Sequence, residues 1–280
     1  MGFKEMIPGK LRIRLMVRRA RLRGEPELEL ARCICSNSEL SIDVGANRGI
    51  YAFLFAKYSS GVLAVEPLPE MVDLLRRSLP AKVEILNIAA SDRDGQSEFH
   101  IPLKSGHDID TRCSLEADVN REFATRSIRV ERRRLDELVS ERGKVGVVKV
   151  DVEGHEMSAL RGLAGILEES RPTAIVESEA RHHAGSPQDI FEFFREFGYR
   201  GYFIHRGRLR RTEEFSVEEF QSCDGPLRVD AGKSPDYINN FLFIHPARAS
   251  VLKRAQRLFP PAHAAETHRP EPAAVGEEQS

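Results

Sequence analysis

The apolar positions of this chain fall into short continuous runs separated by amphipathic stretches. Leu40, Ile42 and Val44 form the first run, and a helix is expected from about Ile50. Gly61-Val-Leu-Ala-Val is the second, closing on Glu66-Pro67, with helix predicted over Pro69–Ser78. Val83–Ile88 is the third run and Val145–Val152 the fourth, followed by a helix with Met157, Leu160, Ala164 and Leu167 on one face. Pro172 opens a fifth, Thr173–Glu177, and the next helix, 187–197, carries Ile190, Phe191, Phe194 and Phe197 at core spacing. Apolar runs without alternation mark strands covered on both faces, and their alternation with helices predicts an α/β fold with a mostly parallel sheet.

The alternation breaks twice. After the turn signal Asp94-Gly95, Ser97–Ile101 and Ser127–Arg134 read as strands, with a short helix starting at Leu135. Between them, residues 103–120 are polar and irregular, with His107, Asp108 and Asp110. A loop that long inside a compact domain is expected to act as a lid or acceptor-binding loop. Towards the end, Tyr199–Ile204, a turn at Gly207 and a strand from Leu209 predict a hairpin, and Ile238–Ile244 a final buried strand. The loop and the hairpin are expected to shape the acceptor pocket.

The ends differ from the middle. Residues 1–37 read as a basic helical extension: Lys4, Lys10, Arg12, Arg14, Arg18, Arg19, Arg21 and Arg23 stand against Glu5, with Leu11, Leu15 and Leu22 interleaved. A surface helix drawn to anionic lipid fits this pattern. A solvated helix packed loosely on the domain fits better, because Arg18 and Arg19 interrupt the apolar stripe. Pro26 to Asn37 reads as a helix leading into the first strand. Residues 38–246 hold the core domain. Residues 247–280 comprise a basic amphipathic helix over 250–259 and a Pro-, Ala- and Glu-rich tail expected to be disordered.

With 42 Lys and Arg against 43 Asp and Glu, the net charge of −1 gives no global drive toward nucleic acid. The four cysteines, Cys33, Cys35, Cys113 and Cys223, lack the spacing of a zinc site and read as reduced thiols. There is no leader-like apolar run and none of the ~20 residues needed to span a bilayer, so a soluble cytoplasmic protein is expected.

The stretch Leu40–Ala56, LSIDVGANRGIYAFLFA, carries the candidate ligand chemistry. A strand feeding a helix through a glycine turn leaves backbone N–H groups pointing at a ligand. A dinucleotide fingerprint would need glycines where Asn47 and Ile50 stand, and no G-K-[ST] follows for a phosphate loop. An acid beside a glycine turn suits instead a ligand with an amino-acid end, its ammonium paired with Asp43. Glu66, 23 positions after Asp43 and at the tip of the second strand, suits ribose hydroxyls.

Taken together, D-V-G-A-N-x-G, then V-E-P, N-x-A-x-S-D-x-x-G, R-R-L-D-E-L, V-K-V-D-V-E-G-H-E with L-x-G, R-P-x-x-x-x-E and N-N-F-L-F-I resemble the FkbM family of S-adenosylmethionine-dependent methyltransferases over roughly residues 38–245. The block from Lys149 to Glu156 is the most specific part. The resemblance implies a Rossmann-like sheet with five parallel strands and a closing antiparallel pair, helices on both faces, and S-adenosylmethionine over the first two strand tips. It places Asp43, Gly45, Asn47 and Gly49 at the methionine end, Glu66 on the ribose, and Ser91 and Asp92 near the adenine. It further implies O-methylation of a hydroxyl on a carbohydrate or secondary metabolite, so the acceptor partner is a small molecule or glycan.

Such a transfer needs a group to take the hydroxyl proton. Strand alternation puts Lys149, Asp151 and Glu153 on one side at the fourth strand's carboxyl end. Asp151 is the first choice for acceptor contact or base, ahead of Glu153 and His155. His182 and His183 read as a solvated surface pair. Asp151, Glu153, His155 and Glu156 mix oxygen and nitrogen donors, but four in six residues cannot converge, and no metal site is expected. Two other classes stay open: a nicotinamide oxidoreductase, disfavoured by Asn47 and Ile50, and a non-catalytic adaptor docked through its basic ends.

Overall fold

The structure is a computed structural model. It describes residues 8–23, 25–105, 107–109, 112–119, 123–182, 187–221 and 236–262. His183, Cys223, residue 110 and the tail from 263 onward lie outside the described residues.

The chain begins with helix α1 (Gly9–Arg23), a 3-10 turn (Pro26–Leu30) and α2 (Ala31–Ile34). Then come β1 (Leu40–Val44), α3 (Ile50–Phe55), β2 (Gly61–Val65), α4 (Pro69–Ser78) and β3 (Val83–Leu86). A side branch follows: β4 (Ala89–Ala90), β5 (Gly95–Lys104), β6 (His107–Asp108) and β7 (Ala124–Arg133). The main path resumes with α5 (Leu135–Val139), β8 (Val145–Val150), α6 (Glu156–Arg161), α7 (Ala164–Glu169), β9 (Thr173–Glu177) and α8 (Gln188–Glu196). It ends with β10 (Arg200–His205), β11 (Arg208–Arg211), α9 (Val217–Phe220), β12 (Asn240–Ile244) and α10 (Ala249–Leu258).

The main sheet has eight strands in the order β11-β10-β12-β9-β8-β1-β2-β3. β9, β8, β1, β2 and β3 pair in parallel. β12, β10 and β11 extend the sheet by antiparallel pairing, so the closing region has three strands where a pair was expected. The order reverses at β1 and β8. Crossovers leave in opposite directions there and open a crevice at the strands' carboxyl ends.

Helices cover both faces. On one, Ile13, Val17, Ile34, Leu54, Phe55, Leu75, Val251 and Ala255 share a core with Val62, Ala64, Val147 and Ile175. On the other, Leu135, Leu160, Leu163, Phe191 and Phe194 pack with Ile42, Val44, Val148 and Val150. Phe194 stacks on Phe243 with centroids 3.9 Å apart, so the aromatics of α8 are core, as their spacing predicts.

The side branch is a second sheet, β4-β7-β5-β6, with its own small core of Leu68, Ala89, Phe99, Ile101 and Val130. β5 runs to Lys104 and β6 covers His107–Asp108, so the start of the expected irregular loop is regular strand. Beyond it, Ser114 exchanges backbone bonds with His100 and donates its hydroxyl to the Glu153 carbonyl at 2.6 Å, which pins this segment over the main sheet.

α1 is bound to the body by Ile13, Val17 and Ala20, all 5% exposed or less. Its start is seated on the end of α4, where a Cβ on Gly9 would lie 2.4 Å from the Arg77 carbonyl oxygen. The leucines that the sequence pattern picks out, Leu11, Leu15 and Leu22, are on the opposite, exposed side. The apolar stripe is therefore two stripes.

Candidate active site

A cavity of about 710 Å³ lies at the carboxyl ends of β1, β2, β8 and β9. Two strand-to-helix turns form its floor. After β1, Gly45 and Asn47 take φ of 77° and 45°, and Gly49 caps α3 at φ 79°. Gly45 and Ala46 donate to the Val65 carbonyl, and the Asn47 N–H donates to Glu66 Oε2 at 2.7 Å. The Leu68 N–H donates to the other Glu66 oxygen at 2.9 Å. Glu66 thus joins the two turns and keeps a second lone pair on each oxygen. Burial pushes its carboxyl up to about 7 against the pull of these N–H donors.

Asp43 pairs with Lys149 in the β1–β8 register, and its Oδ2 accepts from the Ala52 N–H at 2.7 Å. Burial raises it to about 7 as well, with Lys149 opposing. Lys149 is 1% exposed, and its Nζ lies 3.1 Å from Asp151, 3.9 Å from Glu177 and 5.0 Å from the centre of the Tyr51 ring. Burial alone would lower the ammonium, but Asp151 and Glu177 outweigh it and hold it above its ordinary value. Glu177 is pushed up by burial and by Asp151.

The turn after β8 is built differently. β8 ends at Val150, so strand alternation does not carry through to Glu153 as expected. Glu153 sits at φ 46° and Gly154 at 91°. The Glu153 carboxylate lies 3.1 Å from His182 Nε2 and 3.5 Å from Arg181. His182 is therefore not a solvated residue: its imidazole is 3% exposed. His155 opens α6 with both ring nitrogens engaged, Nδ1 by Glu116 at 2.6 Å and Nε2 by Ser91 at 3.1 Å.

Of the residues singled out in the sequence, Asp43, Gly45, Asn47, Glu66, Lys149, Asp151, Glu153 and His155 wall one cavity. Gly49, Ser91 and Asp92 are not on its wall. Gly49 packs under Leu75, and Ser91 stands behind His155 with its hydroxyl donating to Asp92. The β10–β11 hairpin contributes nothing to the wall, being three strands removed from β1. Arg112, Cys113 and Leu115 do line it, from the segment expected to be a lid.

The sequence reading missed several wall residues. Glu177 carried the same signal as Glu66, an acid at a buried strand's carboxyl end. Asn239 bonds Glu177 at 2.7 Å, and Tyr237 donates to Glu179 at 2.6 Å. They reach the cavity because β12 runs antiparallel to β9, which brings the segment before it to the same edge. Glu27, Met16 and Arg19 arrive from the N-terminal segment with no signal in the sequence. Among the described residues no cluster of His, Cys, Asp or Glu could hold a metal ion.

The family model of the methyltransferase FkbM domain matches residues 43–200, more than half of the chain. The protein belongs to this family. It is an S-adenosylmethionine-dependent methyltransferase, and the matched span includes the turns after β1 and β8. The hexuronic acid methyltransferase AglP of Haloferax volcanii is 31% identical over 211 residues, 72% of this chain and 79% of that protein. Among solved structures, the FkbM methyltransferase of Methylobacillus flagellatus KT is 16% identical at a TM-score of 0.48, over 82% of this chain. This chain spans about half, 52%, of that protein's length. An S-adenosylmethionine-dependent methyltransferase of Aquifex aeolicus is 12% identical at a TM-score of 0.40, over 84% of this chain and 97% of that one.

The cavity fits such a methyl donor. A Cβ on Gly45 would fall 1.8 Å from the Asp151 carbonyl oxygen, so the first turn is a close-packed backbone cradle that only glycine allows. Its carboxylates, Asp43 and Glu66, complement a ligand that carries an ammonium, a sulfonium and a ribose diol.

Proposed function

We propose that this FkbM-family enzyme methylates a hydroxyl group of a carbohydrate acceptor. Asp43, Gly45 and Asn47 take the methionine end of S-adenosylmethionine, and Glu66 takes the ribose through its remaining lone pairs. Bound there, the cofactor supplies a methyl group on a positively charged sulfur that leaves as a neutral thioether.

The observation that carries the reading is the Lys149–Asp151 pair on the wall shared with Glu66 and Gly45. Lys149, fixed in the core, holds one Asp151 oxygen and orients the carboxylate. Asp151 would accept the hydroxyl proton as the acceptor's own oxygen takes the methyl group from sulfur. His155 suits this role less, because Glu116 and Ser91 already engage both of its nitrogens. Tyr237, Asn239 and Arg112 make this part of the wall polar, which suits a hydroxyl-rich sugar. Because the Haloferax volcanii relative is a hexuronic acid methyltransferase, uronic acid glycosides are the first acceptors to test.

Asp151→Asn keeps the shape and loses the base. It is expected to bind S-adenosylmethionine as wild type while turnover on the accepted glycoside falls by about 100-fold or more. Turnover is read as S-adenosylhomocysteine formed, and binding as a thermal shift. Unchanged turnover in Asp151→Asn would remove Asp151 as the base.

A further inference from the structure

The second stripe of α1 is not used by the fold. Leu11, Leu15 and Leu22 are 49%, 39% and 78% exposed, the only large apolar side chains so exposed among the described residues. On a helical wheel at 100° per residue they fall within about 40° of one another. They stand opposite Ile13, Val17 and Ala20, which hold the helix to the core. The crest runs for about 16 Å along the helix axis.

Cations border the crest on both sides. Lys10, Arg14 and Arg21 flank it on one side, Arg12, Arg19 and Arg23 on the other, and Arg18 lies within it. No acid occurs in α1. Seven cations in fifteen residues would repel a second copy of the same helix, so pairing through a two-fold axis is disfavoured. A bilayer with anionic headgroups matches both features at once: leucines enter the acyl boundary and arginines stay at headgroup level.

We propose that α1 docks this enzyme on anionic membrane surfaces through Leu11, Leu15 and Leu22 and the cations around them. The fold supports the geometry. Ile13, Val17, Ala20 and the seat of Gly9 on α4 keep α1 fixed, so the crest is presented rigidly. No helix among the described residues is long and apolar enough to cross a membrane, so the contact is peripheral. Met16 and Arg19 of the same helix line the cavity, so docking would hold the cavity near the lipid surface.

The test is co-sedimentation of the full chain with vesicles of phosphatidylcholine alone or with 30% phosphatidylglycerol, ~30 mol% being ample for a polybasic surface. Binding is expected to the anionic vesicles, weak to the neutral ones, and reduced by high salt. Leu11→Gln, Leu15→Gln and Leu22→Gln together should weaken binding at least about tenfold, since each buried methylene counts ~0.8 kcal/mol. Arg14→Glu with Arg18→Glu should do the same while leaving the leucines in place. Melting temperature and the S-adenosylmethionine-induced shift should not move in the leucine variant, since none of the three leucines is in the core or the cavity. Failure of the wild type to bind anionic vesicles overturns the proposal, as does equal binding by the triple leucine variant. A dimer in light scattering that dissociates in that variant would also overturn it, assigning the crest to self-association.

Discussion

The turn after β1 and the turn after β8 lie side by side, close a strand and open a helix, yet are built on different physics. The first is a backbone device. Gly45 at φ 77° presses against the Asp151 carbonyl, and its N–H groups go to Val65 and Glu66. The second is a side-chain device. Lys149 holds Asp151 and Glu177, while Glu153 adopts φ 46° and reaches Arg181 and His182. A non-glycine residue in that region costs about 1–2 kcal/mol. The first turn therefore depends on backbone atoms and on the missing side chain at Gly45, the second on particular side chains.

The sharpest way to break the comparison is Gly45→Ala. The new Cβ meets backbone 1.8 Å away and cannot be accommodated by a rotamer change. Loss of at least about 4 kcal/mol of stability, with no S-adenosylmethionine shift, is expected in thermal melting. Gly207→Ala is the control: φ is 72° but nothing lies within 4 Å, so only the left-handed cost of about 1 kcal/mol applies.

Next is Lys149→Met, which keeps volume but strands Asp43, Asp151 and Glu177 without their cation. A loss of ~3–5 kcal/mol in chemical denaturation is expected. Unchanged stability would mean that Lys149 does not hold the fold together and serves chemistry alone.

A smaller effect should appear with pH. Asp43, Glu66 and Glu156 are each raised by burial to about 7, above their ordinary 3.8 to 4.5. Between those limits the folded state holds more protons than the unfolded chain, so stability falls as pH rises. Glu179, held near 2 by Arg181 despite its burial, and Lys149, held high, do not change charge in that window. The ligand-free protein should melt roughly 5 °C lower at pH 8 than at pH 5.5. A melting point that rises over that interval contradicts the assignment.

The smallest expected change is in Glu153→Gly. Relief of the left-handed conformation and loss of the Arg181 and His182 contacts oppose each other, leaving stability within about 1 kcal/mol of wild type. A loss of several kcal/mol would show that this turn is held by its carboxylate.

Much of this architecture was legible because it depends on local pattern. Buried parallel strands are apolar throughout, so Gly61–Val65, Val145–Val150 and Thr173–Glu177 stand out, and acids at their ends stand out with them. α1 was harder. Its two apolar stripes lie on opposite faces, so a search for one amphipathic face chose Leu11, Leu15 and Leu22 and passed over Ile13, Val17 and Ala20, which carry the packing. Ser91 was read from its place after the third strand; the structure sets it behind His155, a contact across 64 residues that no local pattern encodes.

The sequence by itself determined the parallel strands of the main sheet, the glycine turn and the family, because each rests on short motifs of residues near in the chain. Only the tertiary structure decided who shares the cavity. The antiparallel entry of β12 carries Tyr237 and Asn239 to the carboxyl edge of β9, and the packing of α1 and Glu27 closes the wall from the other end of the chain. It also decided which face of α1 the core takes and which it leaves to solvent, since burial is a property of where helices meet.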